Sequence, residues 1–298
     1  MLNRTSDSCY ANACVRTMTC GIPNCWFRGG SPPWLLVGVL VVLLGAGGCS
    51  RSAGQPTSDP PLLVFAAASL RDVMTEVGEA HFAGGGSRVE FSFASSNSLA
   101  LQLEAAPRAD VFLSASEAWM DRVEAAGRLV PGTRRPLLGN ALVCVVNRES
   151  RLQARDACAL RHQSFEHLVL GDPAAVPAGI YARQYLSDVR CEDGAAPWVA
   201  MAERVLPLPD VRAALAQVEA LRDAVGFVYR TDAATSSRVR VLFEVTGDSA
   251  PRITYPAAVV AGAAHEPEAR GLIRYIRGAE ATAIFTRHGF AMLALGDT

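Results

Sequence analysis

The stretch LLVFAAASLRDVMTEVGEAHF, residues 62–82, decides the fold class. Its first seven residues are small and apolar, which is typical of a buried strand, and from Arg71 onward the apolar residues recur at helical spacing. The same order returns where VEFSFA (89–94) precedes LALQLEAA and where ADVFLSA (109–115) precedes EAWMDRVEAAG. Strands that alternate with helices predict an α/β fold with mostly parallel sheets flanked by helices.

An export signal is predicted ahead of this region. The apolar run WLLVGVLVVLL (34–44) is shorter than the ~20 residues needed to span a bilayer, which is typical of the apolar core of a signal peptide. Arg28 supplies the positive charge that precedes such a core. The next residues, GAGGCS, resemble the lipobox of bacterial lipoproteins, whose cysteine receives lipid. We therefore expect a signal peptide over 1–48, lipidation of Cys49 and a flexible Ser/Pro-rich tether over 49–61. An ordinary cleaved signal peptide is the alternative.

The charged residues exclude several classes of function. The chain carries 28 basic residues, every one an arginine, against 29 acidic residues, for a formal net charge of −1. Without lysine there is no P-loop and no Schiff base, and a nearly neutral chain lacks the basic excess of a nucleic-acid binder. The sequence contains no HxH, HExxH or GxSxG pattern, so neither a metal centre nor a serine hydrolase is predicted.

Three cysteines follow the tether. Cys144 lies in the apolar run LVCVV and is expected to be a buried free thiol. Cys158 and Cys191 flank polar loops, and in an oxidising compartment the two could form a disulfide. Free thiols at both positions are the alternative.

The strand-to-helix junctions carry small, polar and uncharged residues. Ser69 follows the first strand and Ser96 the second, and Ser69 with Asp72 predicts an N-cap with a capping-box partner. Pro177 and Asp210 stand at the starts of two later helices. Several helix N-termini facing one cleft would bind an anion without any basic side chain. The alternative is that each junction is simply a capped helix.

These junctions belong to stretches of sequence that resemble those of a known protein family. The phrases FAAASL, FSFASSNSLALQLE, ADVFLSASEAWMD, LGDPAAVPAGIYARQYL and VGFVYRTDA occur in the order in which they occur in periplasmic molybdate-binding proteins of ABC importers. The chain resembles that family from Leu63 to Phe290. The resemblance implies a two-lobed periplasmic binding protein fold with the ligand cleft between the lobes. We expect lobe I over 62–140 plus 250–298 and lobe II over 141–249.

The resemblance also implies a ligand site. Ser69 and Ser96 match the serines that bind the anion from one lobe, while Ala178 and Val211 match residues that donate backbone N–H groups from the other. Tyr229 matches the tyrosine whose hydroxyl completes the site. Molybdate and tungstate are fully deprotonated, so a site made only of donors suits them. No cofactor and no catalytic residue are implied, and metal would be bound only as the oxyanion.

The implied function is capture of molybdate, and of tungstate, outside the cytoplasm. A monomer tethered to the membrane in the periplasm would deliver the anion to an importer permease and its ATPase, with no nucleic-acid partner. A same-fold binding protein for sulfate, thiosulfate or phosphate is one alternative, and an enzyme or sensor on this fold is another. The export signal disfavours a sensor, and the lack of a paired acid and base disfavours an enzyme.

Overall fold

The structure, a computed structural model, describes residues 60–293. Its strands are β1 (Leu62–Ala67), β2 (Val89–Ala94), β3 (Val111–Leu113), β4 (Arg135–Asn140), β5 (Leu142–Asn147), β6 (His167–Gly171), β7 (Val205–Leu208), β8 (Ala224–Tyr229), β9 (Val239–Glu244), β10 (Ile253–Val259) and β11 (Ala291–Met292). Its helices are α1 (Arg71–Ala83), α2 (Ser96–Ala105), α3 (Glu117–Ala125), α4 (Ala157–Leu160), α5 (Pro177–Asp188), α6 (Pro197–Met201), α7 (Val211–Ala220), α8 (Arg230–Ala234), α9 (Glu266–Ile276) and α10 (Ala279–Arg287). The predicted signal peptide, the lipidation site Cys49 and nearly all of the tether lie outside the described residues.

The strands form two sheets. One has the order β11-β4-β10-β3-β1-β2 and the other β7-β6-β8-β5-β9. The chain passes from the first sheet to the second through Ala141, between β4 and β5, and returns between β9 and β10. The lobes over 62–140 plus 250–298 and over 141–249 stay a prediction, for which these two sheets are the natural units.

The predicted α/β class is confirmed, but the sheets are mixed rather than mostly parallel. β1 pairs in parallel with β2 and β3, and β6 pairs in parallel with β7 and β8. β10 is antiparallel to both its neighbours, β3 and β4, and β5 is antiparallel to β8 and β9. The expectation failed because a strand buried on both faces is a continuous apolar run whichever way it points. The parallel strands nevertheless supply the edges at which the site lies.

Burial of apolar stripes fixes the helices on the sheets. In α7 the buried residues are Val211, Ala214, Leu215 and Val218, spaced as one face of an α-helix. This face packs against β8 and β6 of the second sheet, where every residue of β8 is buried. At ~25 cal/mol per Å² of apolar surface removed from water, such faces supply most of the free energy that holds a helix in place.

The start of α1 differs from its prediction. Ser69 lies in a short 3₁₀ turn, Ala68–Leu70, and the N-cap of α1 is Leu70, which has no side-chain cap. The Ser69 hydroxyl instead meets Tyr255 Oη at 3.1 Å, so the predicted capping role is wrong. Asp210 does cap its helix, because its Oδ1 accepts from the backbone N–H of Ala213 at 2.9 Å.

The cysteines after the tether are all described. Cys158 in α4 is bonded to Cys191, and their Cα atoms are 5.6 Å apart. Cys144 in β5 is a free thiol with no exposed surface, and burial raises its pKa well above the usual range. Within residues 60–293, no helix is both long enough and apolar enough to cross a bilayer.

Candidate functional site

A cavity lies where the two sheets face each other. Its lining residues stand at the carboxyl ends of β1, β2, β3, β6, β7 and β8, where open α/β sheets bind ligands. The cavity is small, with about 10 Å³ of room for the centre of a water molecule. The lining residues are Ala67, Ala68, Ser69, Ser95, Ser96, Ala115, Val176, Pro177, Ala178, Asp210, Val211 and Tyr229. The structure thus brings all five predicted positions, Ser69, Ser96, Ala178, Val211 and Tyr229, to one place.

The first sheet contributes two buried serine side chains. Ser69 is 4% exposed and Ser96 is 1% exposed. The backbone N–H of Ala115 donates to Ser96 Oγ at 2.9 Å, so the Ser96 oxygen already has a donor and its own proton is left for another acceptor. Ser69 Oγ similarly contacts Tyr255 Oη. Both hydroxyls are therefore held in place by neighbouring polar groups of the first-sheet side.

The second sheet contributes the first turns of two helices. Pro177 and Ala178 begin α5, and Val211 begins α7. Backbone N–H groups in a first turn have no partner within the helix, and the helix dipole adds partial positive charge there. Asp210 turns its carboxylate onto its own helix as the N-cap, which satisfies one of these donors. The remaining N–H groups suit an anion in the cavity.

Tyr229 carries a hydroxyl with no partner. Its Oη is fully buried, and no hydrogen-bond partner is found for it among residues 60–293. The ring packs edge-on against Tyr255 with 5.9 Å between centroids, which fixes its direction. Burial, chiefly, raises the pKa of Tyr229 well above its ordinary value, so the hydroxyl stays protonated. An unpaired buried hydroxyl costs about 1–3 kcal/mol, which a ligand oxygen at this point would offset.

A charged cluster lies behind the helix ends. Arg212 contacts Asp72 of α1, and its Nε lies 2.6 Å from Oδ1 of Asp232. Asp232 has no exposed surface, and its desolvation raises its pKa to about 7 although Arg212 works in the opposite direction. The guanidinium is therefore occupied by carboxylates and is not among the groups that line the cavity.

Several contacts join the two sides of the cavity. Trp119 Nε1 donates to the carbonyl of Ala175 at 3.0 Å. Tyr181 Oη donates to the carbonyl of Ala115 at 3.3 Å, and Arg212 reaches Asp72. Each contact links a helix or loop on the first-sheet side to one on the second-sheet side. They hold the two sides together, and none of them uses a hydrogen-bond donor that lines the cavity.

Sequence reasoning missed four residues of this arrangement. Arg212, Asp232, Tyr255 and Asn140 all act through partners distant in sequence, as with Ser69 and Tyr255, which are 186 positions apart. A weak signal existed for Arg212, because it directly follows the predicted site residue Val211.

The chemistry of the cavity suits an anion rather than a cation. Its polar groups at the five predicted positions are hydroxyls and backbone N–H groups, and no histidine lines it. In the described part of the chain, no group of three or more His, Cys, Asp or Glu could hold a metal ion. The carboxylate of Asp210 accepts from its own helix and is therefore not directed at a cation in the cavity.

Comparison with known proteins gives the cavity a family context. The family model described as bacterial extracellular solute-binding protein matches residues 62–291. The molybdate-binding protein ModA of Escherichia coli is 36% identical over 247 residues, which are 80% of this chain and 93% of the relative. ModA of Haemophilus influenzae is 34% identical over 76% of this chain and 89% of the relative. A putative ABC transporter substrate-binding lipoprotein of Bacillus subtilis, YvgL, is 27% identical over 86% of this chain and 96% of the relative.

Solved structures show the same fold. The periplasmic molybdate-binding protein of Azotobacter vinelandii matches with a TM-score of 0.67 at 20% identity, covering 78% of this chain and all of the other. The sulfate-binding protein SubI of Mycobacterium tuberculosis matches with a TM-score of 0.68 at 19% identity, covering 79% of this chain and 88% of the other. At these identities the likeness establishes fold alone. With a family model over residues 62–291 and relatives above 30% identity, the chain belongs to the family of bacterial extracellular solute-binding proteins.

Proposed function

We propose that the protein captures molybdate, and tungstate in the same way, outside the cytoplasm and delivers it to the permease of an ABC importer. The observation that carries this proposal is the convergence of Ser69, Ser96, Ala178, Val211 and Tyr229 on one cavity. The 36% and 34% identical relatives carry the name molybdate-binding protein, which supports the same ligand.

The donor set explains why a dianion without protons would be held. Each oxygen of molybdate only accepts hydrogen bonds, and the cavity offers two serine hydroxyls, one tyrosine hydroxyl and helix-end N–H groups. Hydrogen bonds to a charged group are worth about 1.5–3 kcal/mol each. Neutral donors also avoid the several kcal/mol that desolvating a guanidinium would cost. Arg212 stands behind the helix ends, paired with carboxylates.

Sulfate is the second candidate ligand. It has the same charge and tetrahedral shape, and the fold match to a sulfate-binding protein has a TM-score of 0.68. The donors alone do not separate the two anions, so discrimination would come from the size of the cavity, which backbone donors set more rigidly than long side chains. The higher identity to molybdate-binding relatives favours molybdate.

The role is binding without chemistry. The family is one of solute-binding proteins rather than of enzymes. The two sides of the cavity would close on the anion and present a surface that the permease recognises, with its ATPase driving uptake. The protein would act as a monomer. Export through the segment 1–48 and lipid attachment at Cys49 are supported by the sequence and by a relative that is named a lipoprotein.

A thermal-shift screen of oxyanions tests the ligand. Molybdate and tungstate should raise the melting temperature, because a ligand of the native state stabilises it by mass action. Sulfate and phosphate at the same concentration should raise it much less. A sulfate shift as large as that of molybdate would move the assignment to the second candidate, and no shift with any oxyanion would contradict the proposed function.

A further inference from the structure

The hydroxyl of Ser69 ends a chain of hydrogen bonds that begins outside the cavity. Ser69 Oγ lies 3.1 Å from Tyr255 Oη, and Asn140 Nδ2 lies 3.2 Å from the same Tyr255 oxygen. Tyr255 is 1% exposed and Ser69 is 4% exposed. Asn140 is the last residue of β4, and Tyr255 lies in the neighbouring strand β10. The chain therefore runs from the crossing between the sheets to the anion site.

The orientation of the Asn140 amide is fixed by the backbone. The N–H of Ala141, which can only donate, faces Asn140 Oδ1 at 2.9 Å. The atom that faces it must be the amide oxygen, so the NH₂ group points the other way. There it donates to Tyr255 Oη and to Thr231 Oγ1, the latter at 2.9 Å.

The direction of donation passes on to Ser69. The amide nitrogen of Asn140 can only donate to Tyr255 Oη, so the proton of Tyr255 is directed to the other hydrogen-bond neighbour of that oxygen, Ser69 Oγ. Burial raises the pKa of Tyr255 well above its usual range, so this proton is retained. Ser69 Oγ then accepts from Tyr255, and its own proton is left for the cavity that it lines.

We propose that Asn140 and Tyr255 are positioning residues that hold Ser69 as a hydrogen-bond donor, and that they thereby favour oxyanions without a proton over oxyanions that carry one. The inference rests on the proposed function. At about pH 8 molybdate, sulfate and inorganic phosphate are all dianions, but phosphate alone keeps a proton. Ser69 Oγ already accepts from Tyr255 and directs its own proton into the cavity, so a P–OH group facing it would set one donor against another. Such a mismatch in a buried site leaves a polar group unpaired.

Tyr255→Phe tests this assignment. The variant removes the donor to Ser69, whose oxygen becomes free to accept from a P–OH group. In competition titrations at about pH 8, we expect the affinity for phosphate relative to that for molybdate to rise by roughly 2–10-fold. This change is the equivalent of one net hydrogen bond. The ratio of sulfate to molybdate should stay unchanged, since neither anion carries a proton. If all three anions weaken in parallel, or if phosphate does not gain, Tyr255 has only a packing role and the inference is wrong.

Two further variants keep the test informative. Asn140→Asp replaces the amide donor with an acceptor of the same shape, so Tyr255 would donate to the new carboxylate and draw the Ser69 proton toward itself. The affinity for phosphate relative to that for molybdate should again rise, whereas the added charge weakens all three dianions alike.

Tyr275→Phe is the control. It removes the hydroxyl of a half-buried tyrosine that packs on His81, and it should leave the relative affinities for the three anions unchanged.

The outcomes separate the two claims. If the wild-type protein binds none of the three anions, the proposed function fails. If the wild-type protein binds molybdate and the phosphate ratio is the same in Tyr255→Phe and Asn140→Asp, the proposed function stands and this inference alone fails.

Discussion

The two sides of the cavity donate hydrogen bonds in different ways. The side formed by β1, β2 and β3 uses the hydroxyls of Ser69 and Ser96, which neighbours orient. The side formed by the second sheet uses the first turns of α5 and α7, whose donors belong to the backbone. A hydroxyl can donate or accept, whereas a peptide N–H only donates. We therefore expect the helix ends to set the size of the site and the serines to set whether it accepts an anion that carries a proton.

Displacing a helix end should have the largest effect. Gly179 lies in the first turn of α5, and a Cβ there would lie 1.8 Å from the carbonyl oxygen of Gly171. Because that neighbour is backbone, Gly179→Ala must shift the start of α5, at a cost of about 3 kcal/mol or more in unfolding free energy. We expect a lower melting temperature and loss of molybdate binding in calorimetric titration.

Gly271→Ala is the matched control for that substitution. Gly271 lies inside α9, and its Cβ would meet only Arg274 Nη2 at 3.8 Å. Alanine in an open helical position gains roughly 0.5–1 kcal/mol in stability. Normal binding by Gly179→Ala would mean that the start of α5 does not shape the site.

Removing one serine hydroxyl should have an intermediate effect. Ser69→Ala and Ser96→Ala should each weaken molybdate binding by ~1–3 kcal/mol. Ser96→Ala should also lower the melting temperature, because it leaves the buried Ala115 N–H without its acceptor. Thr75→Ala removes an exposed hydroxyl of α1 that bonds to Arg71 O, and it should leave the affinity unchanged. If both serine variants bind molybdate with wild-type affinity, the hydroxyls on the first-sheet side do not bind the anion.

Several features of this comparison were predictable from sequence and others were not. Short apolar runs before helical patterns located β1, β2 and β3 with their helices, because that information is local. The resemblance then chose the five cavity positions. The antiparallel placement of β10 and β5 was missed, since a buried strand has the same composition in either direction.

The side-chain partners were the least predictable part. Ser69 was expected to cap α1, but its hydroxyl is hydrogen-bonded to Tyr255, 186 positions further along the chain. The charged contacts of Arg212 with Asp72 and Asp232 were invisible for the same reason. Local propensity describes what a serine or an aspartate prefers in isolation, and the tertiary fold supplies a competing partner.

Loosening the contact between the sides should have the smallest effect. Trp119→Phe removes the donor to Ala175 across the cavity and should weaken molybdate binding by about 0.5–1.5 kcal/mol. Trp198→Phe is the matched control, because Trp198 is also half-buried and also lies under an arginine, Arg183, but it belongs to α6. Equal losses in both variants would show that the effect comes from packing rather than from the contact between sides.

A cavity whose donors are neutral hydroxyls and backbone N–H groups should select a fully deprotonated anion of the size of molybdate. Titration calorimetry of the wild-type protein with molybdate and with sulfate, in the same buffer, measures this selection. We expect one molybdate bound per chain and an affinity for sulfate at least about 100-fold lower, which is ~2.7 kcal/mol. Equal affinities, or no heat of binding with molybdate, would contradict it.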